Sequence, residues 1–185
     1  MIDVTTTQVG CLLSVSTPFG ADVLLLEGFG GREAMSEPFR FHLRMRSSNT
    51  GLDPQTIVGK SVTVTLQAPL GPSRFFNGIV LRFAQVGANA QGGFYSAELA
   101  PRLSLLALGS NRAIYQNQSA LDIVEQLLSN AGVAVELRVT GTYAVREYCV
   151  QYDESALQFI SRLMEEEGIF YFFTFADGVH TMVLA

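Results

Sequence analysis

Between Phe39 and Arg46 the chain alternates without interruption, with Phe39, Phe41, Leu43 and Met45 on one side and Arg40, His42, Arg44 and Arg46 on the other. A period of two is the signature of a strand with one buried and one wet face. A strand satisfies its backbone groups only inside a sheet, so partners are needed, and the neighbouring segments supply them. Val62, Val64 and Leu66 alternate with Thr63, Thr65 and Gln67; Ile79, Leu81 and Phe83 follow; Tyr95, Ala97 and Leu99 alternate with Ser96 and Glu98. Pro69-Leu70-Gly71-Pro72 and the stretch from Gly87 to Gly93, with three glycines, separate them as turn signals. Gly28-Phe29-Gly30-Gly31 reads as a flexible turn between Val23-Leu24-Leu25-Leu26 and the Phe39 strand. Several short strands with turns between them predict an antiparallel barrel or sandwich over residues 1–110.

Past residue 110 the periodicity changes. Ser119 to Ala131 reads as a helix, with Ser119 as N-cap, Asp122 three residues on, Gly132 placed to end it, and a stripe of Ala120, Val124, Leu127, Leu128 and Ala131. Val133, Val135, Leu137 and Val139 alternate as a strand, and Tyr148, Val150 and Tyr152 begin another. A second helix starts near Ser155, with Gln158 at capping-box spacing, a stripe of Ala156, Ile160, Leu163 and Met164, and a stop at Gly168. Ile169–Phe175 and Val179–Leu184 close the chain as a hairpin around Asp177-Gly178. The fold class expected is therefore α+β: an antiparallel β-barrel over 1–110, then a smaller α+β unit with two helices over 111–185.

Composition narrows the function. With 48% hydrophobic and 16% charged residues the chain is not disordered. The 185 residues suffice for a core without metal or disulfide. Thirteen Phe, six Tyr and no Trp fit a strand-rich chain. A net charge of −5, with Lys60 the only lysine, argues against nucleic acid and against anionic lipid. Cys11 and Cys149 are expected as free, mostly buried thiols. Met1-Ile2-Asp3-Val4-Thr5 has neither the basic nor the apolar region of a signal peptide, and no apolar run approaches membrane-span length.

Few residues are candidates for chemistry. Glu165-Glu166-Glu167 offers carboxylates, but consecutive helical residues point about 100° apart, whereas glycoside hydrolysis needs two carboxylates facing each other across a cleft. A solvated or salt-bridged helix end is the expected role. His42 and His180 sit at strand positions without a close-spaced ligand pair, so no metal site is expected. The Gly28–Gly31 run lacks the third glycine of a dinucleotide fingerprint, since Arg32 and Glu33 follow, so no cofactor is expected. No serine or cysteine stands in a nucleophile-elbow context.

The segment Tyr148-Cys149-Val150-Gln151-Tyr152-Asp153-Glu154-Ser155, running into Phe159-Ile160-Ser161-Arg162-Leu163-Met164-Glu165-Glu166-Glu167-Gly168-Ile169-Phe170-Tyr171-Phe172, resembles the signature of the VgrG proteins, spikes of the bacterial type VI secretion system. Arg74-Phe75-Phe76-Asn77-Gly78-Ile79-Val80 is similar to the family's "RxFxGIV" strand, and Arg112-Ala113-Ile114-Tyr115-Gln116-Asn117-Gln118-Ser119 to its "RIFQNxS" lead into the first helix. Glu37-Pro38-Phe39-Arg40-Phe41 and the terminal His180–Ala185 also fit. Where the family has a "PWLWLL" strand, this chain reads Pro101-Arg102-Leu103-Ser104-Leu105-Leu106. The resemblance implies a phage tail-hub-like, non-enzymatic part of a spike that trimerises in the full-length protein and caps the Hcp tube. It implies a sequence truncated before the rest of the hub, the OB-fold and the β-helical needle, with effectors or adaptors bound by those later parts. It also implies a protein made in the bacterial cytoplasm and exported by the type VI system. A related phage tail hub is the alternative; a hydrolase using Glu165–Glu167 or Glu154, and a small-ligand-binding barrel, are competing classes.

The resemblance singles out Gln151, Glu154, Arg162, Glu165, Glu166, Glu167 and Gly168 as a structural motif. Three acidic residues in the last turn of a helix oppose its dipole, so basic partners are required. Arg162 reaches Glu165 or Glu166 along the helix. Arg112 and Arg146 are the candidates from elsewhere, and at least one glutamate is expected to be largely buried and paired.

Overall fold

The computed structural model describes residues 7–185; the segment Met1–Thr5, on which the signal-peptide reading rests, lies outside the described residues. The described chain forms two compact units. The first comprises the chain up to Arg32 with Phe39–Pro101 and Phe175–His180; the second comprises Glu33–Pro38, Arg102–Thr174 and Thr181–Ala185. The partition is thus not sequential, and its main boundary falls at Pro101/Arg102. Among the described residues no helix is long and apolar enough to cross a membrane.

Six strands make the sheet that carries the first unit: β1 (Leu13–Ser16), β2 (Leu25–Ala34), β3 (Glu37–Ser47), β4 (Ser61–Leu66), β5 (Arg74–Asn89) and β6 (Gly92–Ala100). Their spatial order is β1-β4-β5-β6-β3-β2, and the β1–β4, β4–β5, β5–β6 and β3–β6 pairs are antiparallel. The sheet curls into a half-barrel. Register sets Leu43 opposite Ala97 and Met45 opposite Tyr95, so the apolar rows of β3 and β6 share one face. Phe39, Phe41, Leu43, Met45, Tyr95, Ala97 and Leu99 are all buried, each large side chain contributing about 1.5–3 kcal/mol. Phe29, Phe39, Phe41, Phe76 and Phe175 add an aromatic cluster with ring centroids 4.8–5.9 Å apart. The alternation read at Phe39–Arg46 is the alternation observed.

One glycine segment expected as a turn is strand instead. Gly28–Gly31 lies inside β2, and the turn falls at Met35-Ser36, with Ser36 at φ 56°. A Cβ on Gly31 would stand 2.2 Å from the Arg40 carbonyl oxygen and 2.5 Å from Phe41 Cδ1, so glycine there permits close strand approach rather than bending. The Gly87–Gly93 segment does carry the expected turn, at Ala90-Gln91, with Gly87 and Gly93 in the arms of the β5–β6 hairpin. β5 follows the curl through register shifts at Val80/Arg82 and Gln85/Gly87.

The second unit contains β7 (Asn111–Tyr115), β8 (Gln118–Ser119), α1 (Ala120–Asn130), β9 (Val135–Leu137), β10 (Val145–Arg146), β11 (Cys149–Glu154), α2 (Ala156–Glu167), most of β12 (Tyr171–Ala176) and the end of β13 (Val179–Leu184). β7 pairs with β11 and β8 with β10, both antiparallel, whereas β13 pairs with β9 in parallel. Both helices begin with complete capping boxes, Ser119/Asp122 and Ser155/Gln158, and Gly168 ends α2 in the left-handed conformation at φ 72°. Their core is Ile123, Val124, Leu128, Phe159, Ile160, Leu163 and Met164. Ile123 and Phe159 replace Leu127, Ala131 and Ala156 of the expected stripes, which are only partly buried. Arg102–Ala107 is a 3-10 helix with Leu103 fully buried, not a strand. Both cysteines are free; Cys149 is buried, but Cys11 is exposed.

β11 departs most from the expectation. Its alternating apolar residues do not point inward: Tyr148 and Tyr152 are 56% and 67% exposed, while Cys149 and Gln151 take the buried side. α1 and α2 fill the space beneath β11 with large side chains, leaving room there for smaller ones.

Candidate functional site

The motif residues converge around α2. Gln151 is completely buried, and its Nε2 donates to the Glu154 carbonyl at 3.0 Å, bridging a register shift where Asp153 takes φ 51°. That bridge sets the exit from β11 into the Ser155 cap. Glu154 then receives Arg162 Nη2 at 2.8 Å; the same nitrogen donates to the Val150 carbonyl at 3.2 Å, and the guanidinium lies 5.3 Å from the Phe159 ring centroid. Arg162 Nη1 reaches Glu166 at 3.1 Å, one turn along the helix.

From β10, Arg146 bonds Glu166 at 2.7 Å and Glu167 at 2.6 Å. The result is a continuous chain, Glu154–Arg162–Glu166–Arg146–Glu167. Of the two arginines expected from elsewhere, Arg146 supplies the compensation and Arg112 does not. Arg112 pairs with Asp153 at 2.7 Å and lies over Tyr152 at 5.0 Å. Glu165 is exposed, Glu166 is 41% exposed, and Glu167 is the most sheltered at 21%; none is largely buried. Arg146 is raised above its ordinary pKa, chiefly by Glu167, and Arg162 chiefly by Glu154. Arg146 in turn holds the Glu166 carboxyl below the usual carboxylate range. Each pair at this exposure contributes about 0.2–1 kcal/mol after solvent screening.

Chemically, this arrangement fixes a helix end to two strands. A general-acid carboxyl needs a raised pKa, and Glu166 is shifted the other way. Among the described residues no group of three His, Cys, Asp or Glu is placed to hold a metal. His180 Nδ1 stands 2.8 Å from Asn77 Oδ1, and the buried Asn77 amide donates to Ser61 Oγ, Thr63 Oγ1 and the Val62 carbonyl. Sequence reasoning did not find this polar knot; the one signal was an asparagine within an otherwise apolar strand. The inner face of the six-stranded sheet is filled with side chains, and a half-open groove of about 680 Å³ lies along His42, Arg44, Arg82 and Glu98.

Comparison with known proteins adds identity to geometry. Residues 32–185 match the phage tail baseplate hub (GPD) family. The type VI secretion system spike protein VgrG1a of Pseudomonas aeruginosa is 41% identical over 179 residues, which are 96% of this chain and 28% of that protein. Among solved structures, the E. coli c3393 protein, described as a type VI secretion component structurally similar to T4 tail proteins gp27 and gp5, superimposes with a TM-score of 0.76 at 27% identity, over 87% of this chain and 48% of that one. A tail protein from Neisseria meningitidis shares the fold at a TM-score of 0.63 and 14% identity, over 94% of this chain and 49% of that one. The chain spans about a quarter of the length of the curated relatives it matches.

Proposed function

The chain belongs to the phage tail baseplate hub family and is homologous to the VgrG spikes; from that premise we propose that it is the N-terminal hub segment of a type VI secretion spike, an assembly component rather than an enzyme. The observation that carries this reading is 41% identity to VgrG1a along 96% of the chain. In this reading residues 1–110 and 111–185 are the working parts, three copies join in the full-length protein, and the assembled hub caps the Hcp tube. Effectors or adaptors attach to parts beyond this segment, and the type VI system carries the whole to the exterior or the target cell. The geometry supports a structural role, because Glu154, Glu166 and Glu167 tie α2 to β10 and β11 through Arg146 and Arg162. A related phage-type baseplate hub is the second reading, favoured by the match of residues 32–185 to the phage tail baseplate hub family.

A strain lacking the full gene tests the proposal. Release of the tube protein into the medium should be lost and then restored by the full-length gene. Unimpaired release, with no paralogue compensating, would contradict it.

A further inference from the structure

On the wet face of the six-stranded sheet, register sets long side chains around short ones. His42 of β3, Glu98 of β6 and Arg82 of β5 form one cross-strand row, and Arg44, Ser96 and Ala84 form the next. Ser96 and Ala84 are too short to fill the space between the arms of Arg44 and Arg82. A half-open groove of about 680 Å³ results.

The charges around this groove do not balance. Glu98 is its one carboxylate, and although Arg82 stands directly opposite on β5, Glu98 pairs with Arg40. Farther along β3, Arg46 is taken by Glu27 at 3.4 Å. Arg44 and Arg82, both exposed, are left with no ion pair or side-chain hydrogen bond among the described residues. Arg44 is also seated: its Nε and Nη2 lie 2.9 Å from where a Cβ on Gly28 would stand, so the glycine leaves the room that the guanidinium occupies. A chain with a net charge of −5 thus keeps two unneutralised arginines on one groove. A seated, unpaired guanidinium is a pre-organised receptor for a carboxylate.

Spacing narrows the ligand. β6 lies between β3 and β5, so Arg44 and Arg82 stem from positions about 10 Å apart across the sheet and about 7 Å apart along it. That separation suits two carboxylates a few residues apart on an extended segment, each accepting a forked pair of guanidinium hydrogen bonds. Two guanidiniums are too few for the basic track that a nucleic-acid backbone requires, and a half-open groove lacks the enclosure of a small-molecule site. We propose that this groove docks an acidic segment of another protein, an extended stretch whose two carboxylates are held by Arg44 and Arg82. The proposal goes beyond the spike reading and does not depend on it.

Fluorescence anisotropy on the 185-residue chain tests it. The probe is a peptide reading Thr-Glu-Thr-Glu-Thr with an uncharged dye, and the control is its Thr-Gln-Thr-Gln-Thr counterpart. At low ionic strength the acidic peptide should bind about tenfold or more tighter than the control, and added salt should weaken it. Arg44→Gln and Arg82→Gln should each weaken binding by about fivefold or more, and the double variant should abolish it. Gly28→Ala, which displaces Arg44 without changing charge, should weaken binding by less. Arg138→Gln, which removes an exposed arginine paired with Glu136 outside the groove, should bind like wild type. Circular dichroism confirms that each variant is folded. Equal binding of the two peptides, no binding of either, or groove variants that bind like wild type would overturn the proposal. So would an oligothymidylate that binds tighter than the acidic peptide, or self-association of the chain that the double variant abolishes, which would give the groove to a polyanion or to a second copy. Each of these outcomes leaves the spike reading to the secretion assay.

Discussion

β3 and β11 carry the same kind of sequence signal and answer it in opposite ways. In β3 the apolar row Phe39, Phe41, Leu43 and Met45 is buried and the basic row is wet. In β11 Tyr152 faces solvent, as does Tyr148 just before the strand, while Cys149 and Gln151 are buried. β3 lies inside a six-stranded sheet whose other strands present apolar rows to the same side, so its larger residues had one place to go. β11 pairs only with β7 over helices that already supply Phe159, Ile160 and Leu163. Alternation therefore reports that a strand exists, and the volume left by neighbours decides which row goes inside.

The largest effect that would break this comparison is expected in the core beneath β11. Leu163 is fully buried, and Leu163→Asp should unfold the second unit at a cost of several kcal/mol, because it buries an unpaired charge. An unchanged melting temperature would refute the packing described. Next, Phe41→Ala in β3 should cost about 3–5 kcal/mol, whereas Tyr152→Ala in β11 should cost no more than about 1 kcal/mol, the loss of an exposed cation–π contact. Denaturant melts giving similar losses for the pair would mean that β11 buries its tyrosines.

Glycine separates the strands at a finer level. Gly31→Ala should cost about 1–3 kcal/mol through overpacking against Arg40 and Phe41. At Gly30 an added Cβ meets nothing within 4 Å, so Gly30→Ala should be close to neutral by the same melts. The smallest effect concerns pH. Arg146 depresses the Glu166 carboxyl below its ordinary value of 4.5. A depressed folded value gives stability that is present at neutral pH and lost as pH falls through that lowered value. Glu166→Gln should thus be less stable than wild type by at most about 1 kcal/mol at neutral pH, and the difference should vanish in acid. A difference that grows on acidification would contradict the pairing.

Much of this architecture was legible because it rests on local rules. The β3 period, both capping boxes and the Gly168 stop each need only neighbouring residues to take effect. What was not legible depends on distant volume or distant charge. Gly28–Gly31 reads as a turn until Arg40 and Phe41 are seen pressed against it. Arg112 and Arg146 were equivalent in sequence, and only the pairing of β7 with β11 delivers Arg112 to Asp153 instead of to the glutamates. Phe159, three residues after Ala156 and four before Leu163, lies at helical spacing on the buried face of α2 and was legible there; only its stacking on Tyr115 of β7 depends on a distant strand.

The central proposal is that Glu166 and Glu167 brace the end of α2 against Arg146 and Arg162, and that none of Glu165, Glu166 and Glu167 performs chemistry. Thermal melts of Glu165→Gln, Glu166→Gln and Glu167→Gln beside a turnover assay on peptidoglycan test it most directly. The account predicts no turnover by the wild-type chain, little change in melting for Glu165→Gln, and lower melting temperatures for Glu166→Gln and Glu167→Gln, whose partners are Arg162 and Arg146. Wild-type turnover that is abolished in a variant melting like wild type would contradict it.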